Sequence, residues 1–498
     1  MSSLQQSSPP AAPAPVSVSD EHQLRRIFDL QRAAFRRAAP DYAKRIAALK
    51  TLEVAVLGHQ DEIVRATNED FGGRPRQETL ILELAPLVDG IRHTRKHLAK
   101  WMKPRRVAAG LNFLPARAKI VYQPLGVVGI LGAWNYPTLL TLSPLVDAIA
   151  AGNHVMLKPS ELAPRTAQVL QKLIAATSPA EYISVVTGEA QLAAEFSQLP
   201  FDHLLFTGSA RVGKLVMKAA SENLTPVTLE LGGKCPAIVH REFPVRTAVE
   251  RIMTGKLYNA GQTCLAPDYV FVHESQRDEF VKLAGEVTQQ LYPKLSDNPD
   301  YTRIINAQHF DRLSSLIGDA LGHGAKAVAL SREGNSAPAS SPSNRDAAVA
   351  SNERWFPPAM LLDVRDEMQV MQEEIFGPIL PVLTYNELDD ALRYVNDHAH
   401  PLALYYFDHD ARRVDYLLNA TASGGVTVND VIFHIAQNNL PFGGVGPSGM
   451  GHYHGRAGFE TFSKKKGVFL QSRFSALKFL RPPYGPLTDR IIRFLLRR

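Results

Sequence analysis

Between residues 126 and 230, short apolar runs alternate with amphipathic segments, and this alternation constrains the fold more than any other feature of the chain. The apolar runs fall at 127–131, 155–157, 183–186, 204–206 and 227–229, the length of strands rather than of buried helices. The segments between them, 163–176 and 211–220 among them, repeat their apolar residues at helical spacing. A chain built this way folds with right-handed crossovers into a parallel sheet covered by helices on both faces, an α/β architecture. A second alternating region, from about 236 to 430, predicts a second α/β domain. Upstream, Leu24, Ile27, Phe28 and Phe35 share one predicted helix face, and Ile46, Leu49, Val56 and Leu57 another.

At 498 residues there is chain enough for two or three domains with sizeable cores. The net charge of +6 is not spread evenly. Residues 473–498 hold Arg473, Lys478, Arg481, Arg490, Arg493, Arg497 and Arg498 against Asp489 alone, so this tail carries the whole excess. A neutral body argues against a nucleic-acid-binding protein, which would need a basic face on the domain itself. Residues 1–19 carry no charge, are rich in Ser, Pro and Ala, and lack the pattern of a signal or transit peptide; a disordered tail is expected. The most apolar run, 125–142, is broken by Gly126, Gly129, Gly132, Asn135 and Pro137, which fits strand, loop and helix rather than a membrane span. The terminal LTDRIIRFLLRR is amphipathic and too short to span a bilayer; docking onto the body is expected, with no stable membrane insertion. Residues 333–352, small and polar, read as a surface insertion. The 16 histidines show no metal-ligand spacing, and His452 and His454 in their Gly-rich loop read as structural, so no metal site is expected.

The chain has two cysteines, Cys235 and Cys264. Two cannot make a disulfide framework, which predicts a reducing, cytoplasmic setting. Cys264, in the uncharged small-residue loop Asn259-Ala260-Gly261-Gln262-Thr263-Cys264, is a candidate nucleophile or simply a small buried hydrophobe. Phe206-Thr207-Gly208-Ser209-Ala210-Arg211-Val212-Gly213 follows a predicted strand and opens a predicted helix. Its free N–H groups can take a phosphate, or it is an ordinary strand–turn–helix; its spacing is neither the dinucleotide fingerprint nor the P-loop. Lys158 and Glu161 in Lys158-Pro159-Ser160-Glu161 stand where open α/β sheets bind ligands, or in a charged surface loop. Glu230, ending a strand before Gly232 and Gly233, is a candidate general base or a paired surface carboxylate. Asn135 can donate its amide to an oxyanion or satisfy a turn. Glu374 and Phe376 in Glu373-Glu374-Ile375-Phe376-Gly377-Pro378 either clamp a bound ring and sugar or end a helix.

Taken together, in this order and spacing, Asn135, Lys158–Glu161, Gly208–Gly213, Glu230–Gly233, Cys264 and Glu374–Phe376 resemble the aldehyde dehydrogenase superfamily over roughly residues 20 to 475. The wording "LKPSE", "FTGS", "LELGGK", "AGQTCLAPDY", "EEIFGP" and "PFGGVGPSGMG" looks like the class 3 and fatty-aldehyde branch. "DFGGRPRQET", "DGIRHTRKHLAKWMKPRR" and "NYPTLLTLSPLVDAIAAGN" look most like bacterial coniferyl aldehyde dehydrogenases.

That resemblance implies a Rossmann-like cofactor domain (20–110 and 126–233), an α/β catalytic domain (234–430) and a small β oligomerisation arm (111–125 and 431–475), followed by a basic tail (476–498). It implies Cys264 as nucleophile, Asn135 with the Cys264 N–H as oxyanion donors, and Glu230 as the base that activates water. It implies a nicotinamide cofactor, NAD with NADP possible. Lys158 and Glu161 would sit at the adenine-side ribose, Ser209 with Gly208 and Gly213 at the pyrophosphate, and Glu374 with Phe376 at the nicotinamide riboside. The substrate would be a phenylpropanoid aldehyde such as coniferyl aldehyde, or a medium-chain aliphatic aldehyde, and the assembly a homodimer. A CoA-acylating enzyme and an inactive structural NAD-binding protein are the alternatives of another class; Glu230 disfavours the first, and Asn135, Glu230 and Cys264 together disfavour the second.

Overall fold

The computed structural model describes residues 21–110, 113–295, 298–331, 354–473, 475 and 479–496. The expected N-terminal tail and the 333–352 insertion lie outside them. Two sheets dominate. In the first, the strand order is Gly449–Met450, Val227–Glu230, His203–Thr207, Val127–Leu131, His154–Lys158, Ile183–Val185. Val127–Leu131, first in the chain among the parallel strands, is central and wholly buried, which is why it reads as an unbroken apolar run. Later strands are laid to one side of it and then to the other, so the direction of winding reverses between Val127–Leu131 and His203–Thr207. At such a point the loops leaving the strands' carboxyl ends diverge and open a crevice.

The second sheet runs Lys326–Ala329, Ala359–Leu362, Ile379–Tyr385, Tyr269–His273, Pro236–Val239, Ala403–Phe407, Gly425–Val428. Both sheets are parallel except at an edge. Gly449–Met450 runs antiparallel beside Val227–Glu230, and Lys326–Ala329 antiparallel beside Ala359–Leu362. One continuous apolar core reaches from Val128 and Ile130 of the first sheet to Ala237 and Val270 of the second. A third, antiparallel sheet joins Arg105–Val107, Arg117–Pro124 and Ser463–Leu470. Its ribbon begins at Arg105, ahead of the 111–125 span read from sequence, and residues Gly455–Thr461 before its last strand are helical.

The helix Glu21–Arg37 buries Leu24 and Phe28, and Tyr42–Gly58 buries Leu49 and Val56. Leu57 differs from expectation and is exposed. It lies one residue, about 100°, round the helix from Val56, and the core-facing stripe is completed instead by Leu52. The C-terminal helix Pro486–Leu496 also departs from expectation: of its described side chains only Thr488 is buried.

Candidate active site

A cavity of about 1510 Å³ opens at the crevice of the first sheet. It is lined by Asn135, Lys158, Glu161, Gly208, Ser209, Glu230, Cys264, Glu374 and Phe376, nine of the ten residues singled out from sequence. Gly213 is the exception. It sits one turn inside the helix Ala210–Ser221, where a Cβ would come within 2.7 Å of Leu231 Cδ2, so its smallness serves helix–strand packing.

Three strands of the first sheet deliver site residues at their carboxyl ends. His154–Lys158 ends on the buried Lys158, whose Nζ donates to Glu161 Oε2 at 2.6 Å. His203–Thr207 leads into Gly208 and Ser209, and the Ser209 hydroxyl caps the following helix by accepting from Val212 N at 3.4 Å. Val227–Glu230 ends on Glu230, which is buried with neither carboxylate oxygen hydrogen-bonded. Burial pushes its carboxyl well above the usual range.

Asn135 is fixed from both sides. Its carbonyl accepts from Arg74 Nη1 at 3.2 Å and from Asn259 Nδ2 at 3.0 Å, and its amide donates to the Gln262 carbonyl at 3.2 Å. Arg74 is itself locked between the Phe71 and Tyr136 rings, both 5.0 Å away, and ion-paired at 3.0 Å with Glu83, both side chains being fully buried. Glu83 then accepts from the N–H groups of Thr138 (2.8 Å) and Leu139 (3.2 Å), capping the helix Pro137–Ala151 that follows Asn135.

The loop before Cys264 is strained. Asn259, Ala260 and Gly261 all have positive φ (53°, 51° and 75°), which costs roughly 1–2 kcal/mol per non-glycine residue. Buried polar bonds over-determine it. The Asn259 N–H donates to both Glu78 oxygens (3.2 and 3.1 Å), Thr302 donates to Glu78 at 2.6 Å, and Gln262 bridges the Asn259 and Arg303 carbonyls and the Ile305 N–H. Gly261 is also required sterically, since a Cβ there would collide with the Gly377 carbonyl.

Cys264 is half-buried at the end of this loop. Burial first, then the neighbouring Glu374 and Glu230 carboxyls, hold its thiol above the ordinary range. Cys235 does not line the cavity; its thiol donates to the Cys264 carbonyl at 3.3 Å from behind. Glu374 is pushed up to about 8 by burial and by the Asp268 charge, and its Oε1 has no hydrogen-bond partner. Its loop is tied down by Arg312, which donates to the Glu374 and Ile375 carbonyls. Lys234 adds a second tie, pairing with Asp268 and donating to the Val370 (2.8 Å) and Glu373 (3.0 Å) carbonyls. A Cβ at Gly232 would collide with the Glu374 carboxylate. Gly232→Ala is therefore expected to lose roughly 1–3 kcal/mol of stability through overpacking, read by thermal unfolding.

The supporting residues Arg74, Glu78, Glu83 and Arg312 were not reached from sequence as functional. Each is a charged residue whose partners lie far along the chain or in loops, with no local spacing to mark it. A run such as Arg76-Gln77-Glu78-Thr79 reads as a solvated helix face.

The donor set fits a nicotinamide dinucleotide: a cavity above the usual 300–1,000 Å³ of small-ligand sites, a helix N-terminus at Ala210, a buried Lys158–Glu161 pair and the unpartnered Glu374 Oε1.

The profile of the "Aldehyde dehydrogenase family" matches residues 11–468. A protein of Pseudomonas aeruginosa described as "Probable coniferyl aldehyde dehydrogenase" is 50% identical over 477 residues, 96% of this chain and 97% of that one. The "Coniferyl aldehyde dehydrogenase" of a Pseudomonas species is 44% identical over 453 residues, 91% and 92% of the two chains. The solved structure described as "Substrate bound state of Staphylococcus Aureus AldH" superposes with a TM-score of 0.86 at 38% identity, covering 95% of this chain and 99% of that one. The chain belongs to the aldehyde dehydrogenase family, and is an NAD(P)-dependent aldehyde dehydrogenase.

Proposed function

We propose that this enzyme oxidises phenylpropanoid aldehydes such as coniferyl aldehyde to their acids, with Cys264 as nucleophile, Asn135 as oxyanion donor and Glu230 as hydrolytic base. The observation that carries the mechanism is the meeting of Cys264, Asn135 and the unpaired Glu230 carboxyl in one cavity. The Cys264 sulfur, reacting as the thiolate after its proton has passed to solvent, adds to the aldehyde carbon. The oxygen of the resulting thiohemiacetal is stabilised by the Asn135 amide, whose second N–H is not taken by Gln262, and by the Cys264 N–H; one such donor is worth about 3–4 kcal/mol of barrier. The bound nicotinamide supplies the hydride acceptor. Glu230 then takes a proton from water as it attacks the Cys264 thioester, and the acid leaves. A carboxylate at this position favours hydrolysis over acyl transfer to coenzyme A.

NAD is the proposed cofactor. The Glu161 carboxylate beside Lys158 suits ribose hydroxyls and would repel an added phosphate. The division into cofactor domain, catalytic domain and arm is retained. A homodimer is supported by Ser463–Leu470, an edge strand of the antiparallel ribbon with one side open to further pairing. A cytoplasmic setting is supported by two cysteines that are both free.

The substrate class rests on the relatives described as coniferyl aldehyde dehydrogenases. NADH formation is to be measured with coniferyl aldehyde and with a C6–C10 alkanal, each with NAD and with NADP. A kcat/KM preference for coniferyl aldehyde of about tenfold or more, ~1.4 kcal/mol in the transition state, is expected. Equal or better turnover of the alkanals would replace the aromatic substrate by a medium-chain aliphatic one and leave the chemistry intact.

A further inference from the structure

Arg74 and Glu83 form their ion pair at 3.0 Å with both side chains fully buried. The Arg74 Nε and Nη2 have no hydrogen-bond partner among the described residues; the guanidinium lies instead between the Phe71 and Tyr136 rings. A pair this deep adds little to stability, because desolvation offsets its attraction and well-packed apolar residues of similar size often do as well. What the pair holds is therefore informative. Arg74 donates to the Asn135 carbonyl at 3.2 Å, and Glu83 accepts from the N–H groups of Thr138 and Leu139, three and four residues further on. The ion pair thus closes a clamp across the turn that carries the Asn135 side chain.

The helix that carries Glu83 departs from α geometry to reach it. Leu80–Leu84 forms a π turn, after which the Ala85 N–H donates to the Leu80 carbonyl. In an unbroken α-helix Glu78 and Glu83, five residues apart, would point about 140° apart. A turn closed from i to i+5 brings such a pair toward one face, and π turns of this kind recur at functional sites. Both carboxylates are buried: Glu78 accepts from the Asn259 N–H in the Cys264 loop, and Glu83 reaches the Asn135 turn. The two loops are held by separate carboxylates. With Asn135 read as the oxyanion donor, on which this inference rests, we propose that Arg74 and Glu83 are positioning residues for aldehyde oxidation. They fix the Asn135 amide where the oxyanion forms, and they act through Asn135 rather than through the thiol or the cofactor.

The test is the burst of NADH that precedes hydrolysis, measured on the full chain with NAD. The aldehyde is whichever of coniferyl aldehyde and a C6–C10 alkanal the wild type turns over faster. Arg74→Met with Glu83→Gln removes both charges together, so neither is left buried alone, and the Gln oxygen can still accept from Thr138. Its burst rate constant is expected to fall about 10²-fold, the cost of a misplacement near ~1 Å. The KM for NAD and the rate of Cys264 alkylation by iodoacetamide should stay within about twofold. Asn135→Ala should lose roughly 10²–10³-fold, and adding the charge-pair changes to it should cost no more than about threefold further. Losses that multiply, to about 10⁴-fold or more, would show the pair acting independently of Asn135 and would overturn the proposal. So would an alkylation rate or a KM for NAD that shifts along with the burst. Arg74→Lys keeps the charge beside Glu83, and with it the fold, but not the planar fork between two rings; it should lose about tenfold with thermal unfolding unchanged. A slow Asn135→Ala beside a wild-type burst in both Arg74 variants would overturn the positioning role alone. A wild-type rate in Asn135→Ala would remove the oxyanion assignment, and the positioning role with it.

Discussion

Replacing Cys264 with alanine is expected to abolish aldehyde-dependent NADH formation, a fall in kcat on the order of 10⁴-fold or more, because no other group in the cavity can form the thioester. Cys235 cannot substitute. It is fully buried behind the Cys264 backbone, its thiol is pushed up by burial, and it does not line the cavity. The fold should tolerate the change, since Cys264 is half-buried and small; thermal unfolding should move by no more than about 1 kcal/mol equivalent. Rates measured with Cys264→Ala and with wild type alkylated at one thiol should coincide. Residual turnover near the wild-type rate would remove Cys264 from the chemistry.

Glu230→Gln separates the two halves of the reaction. The hydride step does not need the base, so the variant should release about one NADH per subunit in a burst and then stall, with steady-state kcat down by roughly 10²–10⁴-fold. Its pH dependence follows from burial. Burial holds the Glu230 carboxyl well above the usual range, and the proposed base works only when ionised, so the wild-type hydrolytic step should accelerate as pH rises. The variant should lose that limb of the profile. Absence of a burst, or an unchanged pH profile in the variant, would exclude Glu230 as the base.

How much of this was legible in advance depends on the range of the interaction. The five apolar runs lie in the strands of the first sheet, because burial on both faces writes itself into consecutive residues, as in Val127–Leu131. Asn135, Lys158, Glu161, Gly208, Ser209 and Glu230 were legible for a related reason: each stands at or just past a strand's carboxyl end, where the topology opens a crevice, whereas Cys264, Glu374 and Phe376 lie in loops ahead of the strands Tyr269–His273 and Ile379–Tyr385. Gly213 shows the limit of that logic, since a glycine in a loop-to-helix motif can serve packing alone. Leu57 shows another, because it follows the buried Val56 and is turned about 100° from it, just outside the core-facing stripe. The supports of Asn135 and Cys264 were not legible. Arg74 reaches a carbonyl 61 residues away, and Glu78 an N–H 181 residues away, and nothing local distinguishes either from a solvated charge. The antiparallel edge Gly449–Met450 was equally hidden, being too short for any periodicity.

The bonds from Glu78 to Asn259 and Thr302 bear on how the enzyme comes into being. The Cys264 loop adopts its left-handed shape against a carboxylate 181 residues away in sequence, so the proposed nucleophile is held in place only when both segments have folded together. A fragment lacking the first hundred residues would carry the thiol on a loop without that restraint. Turnover of aldehydes is in that sense a readout of completed folding.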